Sequence, residues 1–259
     1  MNSFLLLVAS VCLLGYGNAQ LNPNSTQIVN KLNEVRSNPS AFATKMQTNY
    51  STFAYNRWIV QSFIKNETYN YTFVTTEGYI AFQEAVTALS QSTSAPNLTY
   101  SSGLSSIGQF DVNAYNNRST WLSTPYGVCD RDVGQRVSEA GTYKLIDQSI
   151  VGGINEAELM VVAMLIGDGD QYRRARAAIL NPEYTDVGYG QANLTTVAPI
   201  YNFIWAKNFT CKNTCPNIPP TNDSYDCSLP MPFTYGGGAL LSPFIGLLLV
   251  FLLVVFAKF

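Results

Sequence analysis

Two apolar runs, one at each end of the chain, confine the folded part of this sequence to the residues between them. The first extends from Phe4 to Leu14, and the small-x-small site Gly17-Asn18-Ala19 follows it. An apolar run of this length ahead of such a site is typical of a secretory signal peptide, which we assign to residues 1–19. About 200 residues remain once both ends are removed, enough for one domain, residues 20–210, with a core of its own.

The second run, residues 239–257, is followed only by Lys258 and Phe259. It is long enough to cross the ~30 Å hydrocarbon core of a bilayer. A single-span anchor normally carries several cytoplasmic Lys or Arg residues, and this one has a single lysine. We therefore favour a removable glycolipid-attachment signal, with Asn222 and Ser224 as candidate attachment residues, and keep a spanning helix as the alternative. Both predict a protein of the secretory pathway, held at the extracellular face of the plasma membrane or secreted.

The cysteines agree with an extracellular location. Removal of the signal peptide takes Cys12 away and leaves an even number, which in a secreted chain predicts two disulfides. The four are Cys129, Cys211, Cys215 and Cys227. Residues 211–238, rich in Pro, Asn, Ser and Gly, are typical of a stalk, which these cysteines would tie down. The spacing from Cys211 to Cys215 also fits metal ligands loosely, an alternative that the lack of histidine weakens.

Asn-x-Ser/Thr acceptors recur along the chain and predict several surface glycans. They are Asn24, Asn49, Asn66, Asn70, Asn97, Asn117, Asn193, Asn208 and Asn222. The 15 basic residues against 17 acidic ones give no sign of nucleic-acid binding.

Apolar periodicity predicts mostly helices first and strands later. Helical spacing is found over residues 25–37, 39–48, 77–90, 104–115 and 155–166. Alternation predicts strands over residues 186–194 and 200–209, the second with Tyr201, Phe203 and Trp205 on one face. Helices on both sides of a small antiparallel sheet make an α+β sandwich.

Several segments carry a resemblance to one family. Residues 77–85, EGYIAFQEA, are similar to the EG-x-x-A-x-x-EA helix of the CAP superfamily, which comprises cysteine-rich secretory proteins, antigen 5 and pathogenesis-related 1 proteins. Residues 32–43 resemble its first-helix N-x-x-R-x-x-P segment, and residues 137–141 fall where the family has its GEN turn. Residues 168–182, DGDQYRRARAAILNP, are similar to its DG-x-x-x-RGHR-x-x-IL-x-P segment.

Residues 201–210 resemble the family's closing strand, so the resemblance runs from about residue 28 to residue 210. It implies a three-layer α-β-α sandwich. In metal-binding members, two histidines and acidic residues meet in a cleft.

The cleft residues depart from that pattern, and the chain contains no histidine. The resemblance places Ala175 at one histidine position and Asp111 at the other, while Glu139 keeps its family identity. Zinc prefers imidazole and thiolate ligands, and two carboxylates suit only a hydrated hard cation. We therefore expect no cofactor and no zinc, and at most weak calcium or magnesium binding.

The residues around this degenerate cleft admit structural roles. We interpret Asp111 as a solvated helix residue and Glu139 as bonded to backbone amides in its turn. For Arg173, Arg174 and Arg176 we expect a solvated face with one ion pair that holds the fold, and keep an anion pocket as the alternative. Residues 168–170 are typical of a turn and helix cap.

The sequence thus predicts a secreted or cell-surface CAP-like domain without catalytic activity. The resemblance implies a lipid, sterol or protein ligand as partner. One alternative is a metal hydrolase that uses Asp111 and Glu139 as an acid/base pair, since burial can push the pKa values of two carboxylates apart. Another is a glycosylated coat protein whose role is physical cover.

Overall fold

The computed structural model describes residues 25–64, 67–116, 132–192 and 199–212. The predicted signal peptide, the C-terminal apolar run and all of the stalk beyond residue 212 lie outside these ranges. The described helices are α1 Ser25–Ser37, α2 Pro39–Asn49, α3 Tyr79–Gln91, α4 Ser102–Asn116, α5 Val133–Ala140, α6 Ala157–Ile166 and α7 Arg174–Leu180. The described strands are β1 Phe53–Ala54, β2 Arg57–Ile64, β3 Glu67–Val74, β4 Thr99–Tyr100, β5 Gly141–Thr142, β6 Leu145–Gly152, β7 Asp186–Ala192, β8 Ile200–Lys207 and β9 Thr210–Cys211.

The predicted helices and strands form close to their expected positions. The first two helices are separated at Asn38, whose side chain accepts a hydrogen bond from the Ala41 amide and caps α2, and Pro39 occupies the first turn. Helix α6 is capped by Glu156 at its start and ends at Gly167, which takes the left-handed conformation that favours glycine. None of the helices within the described ranges is long and apolar enough to span a membrane.

The central sheet has the strand order β4-β7-β8-β6, with β6, β7 and β8 antiparallel and β4 parallel to β7. Strand β8 lies inside this sheet, and its side chains alternate between two cores. Tyr201, Phe203 and Trp205 enter the main core with α1, α3 and α6, while Ile204 and Ala206 enter a second core with α4 and α5. Helices therefore cover both faces, and the predicted α+β three-layer sandwich is confirmed.

Helix α4 approaches strand β7 unusually closely because glycines face each other. A Cβ added at Gly190 would lie 2.1 Å from the backbone of Gln109, and one added at Gly188 would lie 2.3 Å from the Ser105 amide. Only glycine leaves room for the two backbones at this contact. The side chain of Gln109 completes it by accepting from the Gln191 amide and donating to its carbonyl.

An antiparallel hairpin, β2 with β3, was missed by the periodicity, as were α5, β6 and α7. The hairpin contributes Trp58, Val60 and Phe73 to the main core. The Trp58 ring lies 5.2 Å from that of Phe73, and its indole N–H donates to the Tyr50 carbonyl. Apolar residues occur on both sides of β2, so the strict alternation that predicts a strand is broken there.

Candidate functional site

The N-x-x-R segment of the resemblance proves to be a structural tie. Arg36 is fully buried, and its guanidinium donates hydrogen bonds of 2.7 to 2.9 Å to backbone carbonyls of distant segments. The acceptors are Pro96, Ile179, Asn181 and Tyr184. Asn33, one turn earlier, both donates to and accepts from the backbone of Leu98. This segment therefore fastens α1 to the loops that precede β4 and β7.

Asp111 lies at the centre of a buried polar cluster, so its interpretation as a solvated helix residue was wrong. Its side chain is 0% exposed. Arg136 of α5 grips both carboxylate oxygens, with Nε 2.8 Å from Oδ1 and Nη2 donating to Oδ2 at 2.8 Å. Asn202 of β8 donates to Oδ2 at 2.8 Å, and Gln148 of β6 donates to it at 3.2 Å.

This cluster connects four elements across the second core. Gln148 also donates to the Asn202 side chain at 2.8 Å, so the partners of Asp111 are bonded to one another. Burial raises the pKa of Asp111 to about 6, against the opposing influence of Arg136 and the amide donors. The three hydrogen bonds all reach Oδ2, and Oδ1 is held by the ion pair with Arg136 Nε, so this buried carboxylate serves as a structural group.

Glu139 and Asp111 differ in burial. Glu139 lies exposed in the last turn of α5, where the resemblance predicted a turn, and Arg136 of the same helix occupies the position next to Asp111. Ala175 is half-buried on α7 and packs against the main core, on the opposite face of the sheet. The structure therefore does not bring the three predicted cleft residues together.

The described residues at the predicted cleft position do not form a cation site. No group of three or more His, Cys, Asp or Glu side chains suited to a cation occurs among the described residues. The one buried carboxylate at the predicted site already has both oxygens in contact with Arg136. A cation there would have to displace a buried positive charge.

Arg173 is the centre of a second charged cluster, at the start of α7. Its side chain is 13% exposed and bonds Glu77 through both Nη atoms and Glu84 through Nε and Nη2. The Glu77 carboxylate also accepts from the Gly169 amide, and these bonds, above all those from Arg173, lower the pKa of Glu77. The expected ion pair is present, but Arg173 does not lie on a solvated face.

Arg176, one helical turn further on, is also buried rather than solvated. It donates to the carbonyls of Leu165, Ile166 and Ala81, and its Nη1 lies 3.9 Å from Glu84. Its donors are taken up by the protein backbone, so the arrangement does not offer an anion pocket. Arg174 alone of the three is half-exposed.

The predicted turn over residues 168–170 is confirmed, whereas the N-cap of α7 is Arg173, whose side chain makes no capping hydrogen bond. Asp168 accepts from the amides of Thr76 and Glu77 at 2.7 and 2.8 Å. Asp170 accepts from the Arg174 amide at 2.9 Å, which satisfies a donor at the start of α7. The acidic residues thus bind backbone amides and hold the loop against the start of α3.

Sequence reasoning missed the partners of Asp111. Asn202 carried a signal, because it is the polar residue within the aromatic run of β8, YNFIW, and a buried polar group needs a hydrogen-bond partner. Arg136 and Gln148 lie in two elements that the periodicity did not predict. Asp147, next to Gln148, was missed as well, and burial raises its pKa.

Some of the predicted glycosylation and disulfide residues lie within the described ranges. Asn49, Asn97 and Asn208 are exposed, as a glycan acceptor requires. The side chains of the other six acceptors lie outside the described residues. Cys211 is disulfide-bonded. Cys129, Cys215 and Cys227 are not among the described residues, so the pairing stays a prediction.

Comparisons with known proteins give no family. No family model matches the chain, and no curated protein matches it. Among solved structures it is similar to an outer surface protein of Borrelia burgdorferi, with 18% identity and a TM-score of 0.36, over 44% of this chain and 79% of that one. It is also similar to an extracellular protein containing an SCP domain from Bacillus anthracis strain Ames, with 15% identity and a TM-score of 0.32, over 44% of this chain and 35% of that one. Likenesses at this level support no inference about function.

Proposed function

We propose that this chain is a non-catalytic extracellular domain of CAP-like architecture, displayed at the cell surface, which acts by binding. The observation that carries the proposal is the state of Asp111. It is fully buried, and Arg136, Gln148 and Asn202 occupy its oxygens, so it faces no substrate.

The hydrolase alternative requires a carboxylate that can reach a water molecule or a metal. A general base must lie within hydrogen-bond reach of the proton that it removes. Asp111 could meet this condition only if Arg136 moved away, which would leave a buried guanidinium without its counter-charge. Glu139 is exposed at the end of α5, and it is Arg136 rather than Glu139 that contacts Asp111.

For the ligand we propose a lipid, a sterol or a protein, which are the classes that the CAP resemblance implies. The glycosylated-coat alternative shares the location and the glycans but needs no ligand. Exposed acceptors such as Asn49, Asn97 and Asn208 are compatible with both. We propose no bound cofactor, since the described residues offer no cation site.

Calorimetry and a hydrolase screen on the glycosylated protein test the non-catalytic proposal. Titration with zinc, calcium and magnesium should give no stoichiometric submicromolar binding, and Asp111→Asn should leave any background hydrolysis unchanged. Turnover abolished by Asp111→Asn but kept in Asp147→Asn, a matched carboxylate change on β6, would establish the hydrolase instead. Native mass spectrometry with lipids retained then separates a ligand-binding domain, which carries a bound lipid or protein, from a coat.

A further inference from the structure

Exposed apolar side chains cluster where the turn between β1 and β2 meets the start of α3. Tyr55 is fully exposed and Ile80 is 64% exposed, and Val74 and Tyr79 are each more than a third exposed. We refer to these four residues together with Arg57 as the Tyr55 patch. Single exposed apolar residues are ordinary on a protein surface, but adjacent large ones mark an interaction site.

Short backbone contacts hold the parts of the Tyr55 patch together. The Asn56 carbonyl accepts from the Thr75 amide at 2.7 Å, which joins the turn to the end of β3. A Cβ added at Gly78, the residue before α3, would lie 3.2 Å from the Tyr55 carbonyl. The rings of Phe53 and Tyr79 meet edge to face at 5.5 Å. The patch is therefore a fixed feature of the folded hairpin and helix.

The backbone at Tyr55 is in an unfavourable conformation. Its φ of 55° lies in the left-handed region, where glycine, asparagine and aspartate are the usual residues. A tyrosine there costs conformational free energy, and its ring gains no burial from the described residues. Strain combined with full exposure points to a contact made outside the domain.

The charges around the Tyr55 patch favour an anionic partner. Arg57 is exposed, and its side chain makes no ion pair or hydrogen bond with the described residues. The neighbouring carboxylate of Glu77 is neutralised by Arg173 and by the Gly169 amide. The Arg57 guanidinium thus lies beside exposed tyrosine and aliphatic side chains. This combination suits the headgroup region of a bilayer, where tyrosine rings lie at the interface and a guanidinium binds phosphate oxygens.

The segment after residue 212 is long enough for the Tyr55 patch to contact the membrane that holds the chain. Fully extended, the segment from residue 212 spans at most about 40 Å to the candidate attachment residue Ser224, or about 100 Å to the apolar run at 239 if that run spans the membrane. A tethered domain meets the membrane at an effective concentration in the mM range for a flexible linker, so even a weak surface contact would be populated.

We propose that the Tyr55 patch rests in the headgroup region of the bilayer to which the chain is anchored, and that it sets the orientation of the domain. The inference depends on the proposed function in one respect, the attachment of the C-terminal run to a membrane. The headgroup phosphate and the interfacial acyl carbons are the chemical groups that the patch recognises.

Brominated lipids test the contact, because bromine on an acyl chain quenches a nearby indole. The full chain with its own anchor is reconstituted into phosphatidylcholine vesicles, with and without phosphatidylserine. Tyr55→Trp places an indole in the patch, and Tyr100→Trp places one at a tyrosine on β4 that is 41% exposed. Brominated lipid should quench the added fluorescence of Tyr55→Trp at least twofold more than that of Tyr100→Trp. Arg57→Glu combined with Tyr55→Trp should at least halve the quenching.

The outcomes separate this inference from the anchoring on which it depends. Equal quenching in the two tryptophan variants, or none in either while the chain co-sediments with vesicles, would refute the membrane contact and leave anchoring intact. If the chain does not co-sediment with vesicles of either composition, both the membrane contact and the anchoring are refuted. Protection of Tyr55→Trp from an aqueous quencher without any effect of brominated lipid would assign the patch to a protein partner instead.

Discussion

At the residue scale, this fold uses arginine to tie distant segments together. Arg36 and Arg176 are buried and donate mainly to backbone carbonyls, and burial lowers the pKa of each to about 10. Both therefore stay charged at neutral pH, because the carbonyl dipoles around them replace water. Asp111 with Arg136 is the complementary case, in which a buried carboxylate supplies the counter-charge. Positions that resemble the rim of a catalytic cleft in the sequence thus serve as internal fasteners.

The raised pKa of Asp111 predicts a pH-dependent contribution to stability. The folded state holds this proton more tightly than the unfolded chain, so the contribution is fully present below about pH 4 and is lost as the pH rises through 6. The shift from 3.8 to about 6 corresponds to about 3 kcal/mol. The free energy of unfolding of Asp111→Asn relative to the wild type should therefore increase by most of that amount, about 2 kcal/mol, between pH 4 and pH 7. Asp111→Asn also changes hydrogen bonds in the cluster, but an effect that is the same at pH 4 and pH 7 cancels when the two differences are subtracted.

Urea unfolding of both proteins at four pH values provides the measurement. A difference between variant and wild type that stays constant from pH 4 to pH 7 would mean that Asp111 has an ordinary pKa and is more hydrated than its burial indicates.

Arg173→Gln should lower the free energy of unfolding by about 2 kcal/mol, because it removes charge-assisted hydrogen bonds to Glu77 and Glu84. Glutamine has the same backbone cost at this left-handed position, so the change reports on the lost guanidinium: its ion pairs and its hydrogen bonds to the Gly167 and Asp170 carbonyls. Arg174→Gln is the matched control. That side chain is 48% exposed and only 4.0 Å from Asp170, so the expected effect is within about 0.5 kcal/mol. Equal effects of the two changes in thermal or urea unfolding would refute the structural role of Arg173.

At the scale of secondary structure, the contact of α4 with β7 sets the distance between one helical layer and the central sheet. The segment Gly188-Tyr189-Gly190 places its two glycines under the helix, and Tyr189 between them points to the main core. Alternation along the strand therefore gives one face to the helix backbone and the other to aromatic packing. The position of Asp111 on α4 depends on this close approach.

Gly190→Ala should destabilise the protein by about 3 kcal/mol or more, because its Cβ would overlap the backbone of Gln109 and Gly108 at 2.1 Å. Backbone cannot move aside as a flexible side chain can, so α4 would have to shift as a whole. Gly152→Ala on β6 is the control, since its nearest neighbour, the Pro199 carbonyl, lies 3.7 Å away. We expect the control to change the free energy of unfolding by no more than about 0.5 kcal/mol. Similar unfolding curves for the two variants would show that the α4 backbone does not pack closely against Gly190 of β7.

The elements that the sequence predicted and those that it did not differ in a physical way. Helix α6 and strand β8 have strong patterns because nearly all of their side chains are buried, and α1 has a regular apolar stripe. The hairpin and β6 lie toward the edges of the fold, where partial burial weakens the alternation. This loss of periodicity in partly buried elements also hid the surroundings of Asp111. The partners of Asp111 come from α5 and β6, so without those elements the carboxylate had no visible reason to be buried.

At the scale of the whole molecule, the fold is closed by polar contacts between segments far apart in sequence. Arg36 reaches residues more than 140 positions away, and Arg173 binds Glu77 across 96 positions. Cys211 adds a covalent link just beyond β8. Such ties suit a domain that must persist outside the cell, where unfolded chains are exposed to proteases.

Cell-surface display predicts that phosphatidylinositol-specific phospholipase C releases the protein from intact cells. In the proposed glycolipid-anchored form the apolar run at residues 239–257 is removed during processing, so cleavage of the lipid would leave no membrane-spanning segment. Release should be nearly complete, and the mature C-terminus should map to Asn222 or Ser224 by mass spectrometry. Asn222→Leu with Ser224→Leu should abolish release, since bulky residues do not fit an attachment site made for small ones. A control with Ser228→Leu, in the spacer beyond that site, should be released as the wild type is. Retention of Phe259 in the mature protein, with no release by the enzyme, would instead establish the spanning helix, and the single Lys258 beyond it would then be its only cytoplasmic positive charge.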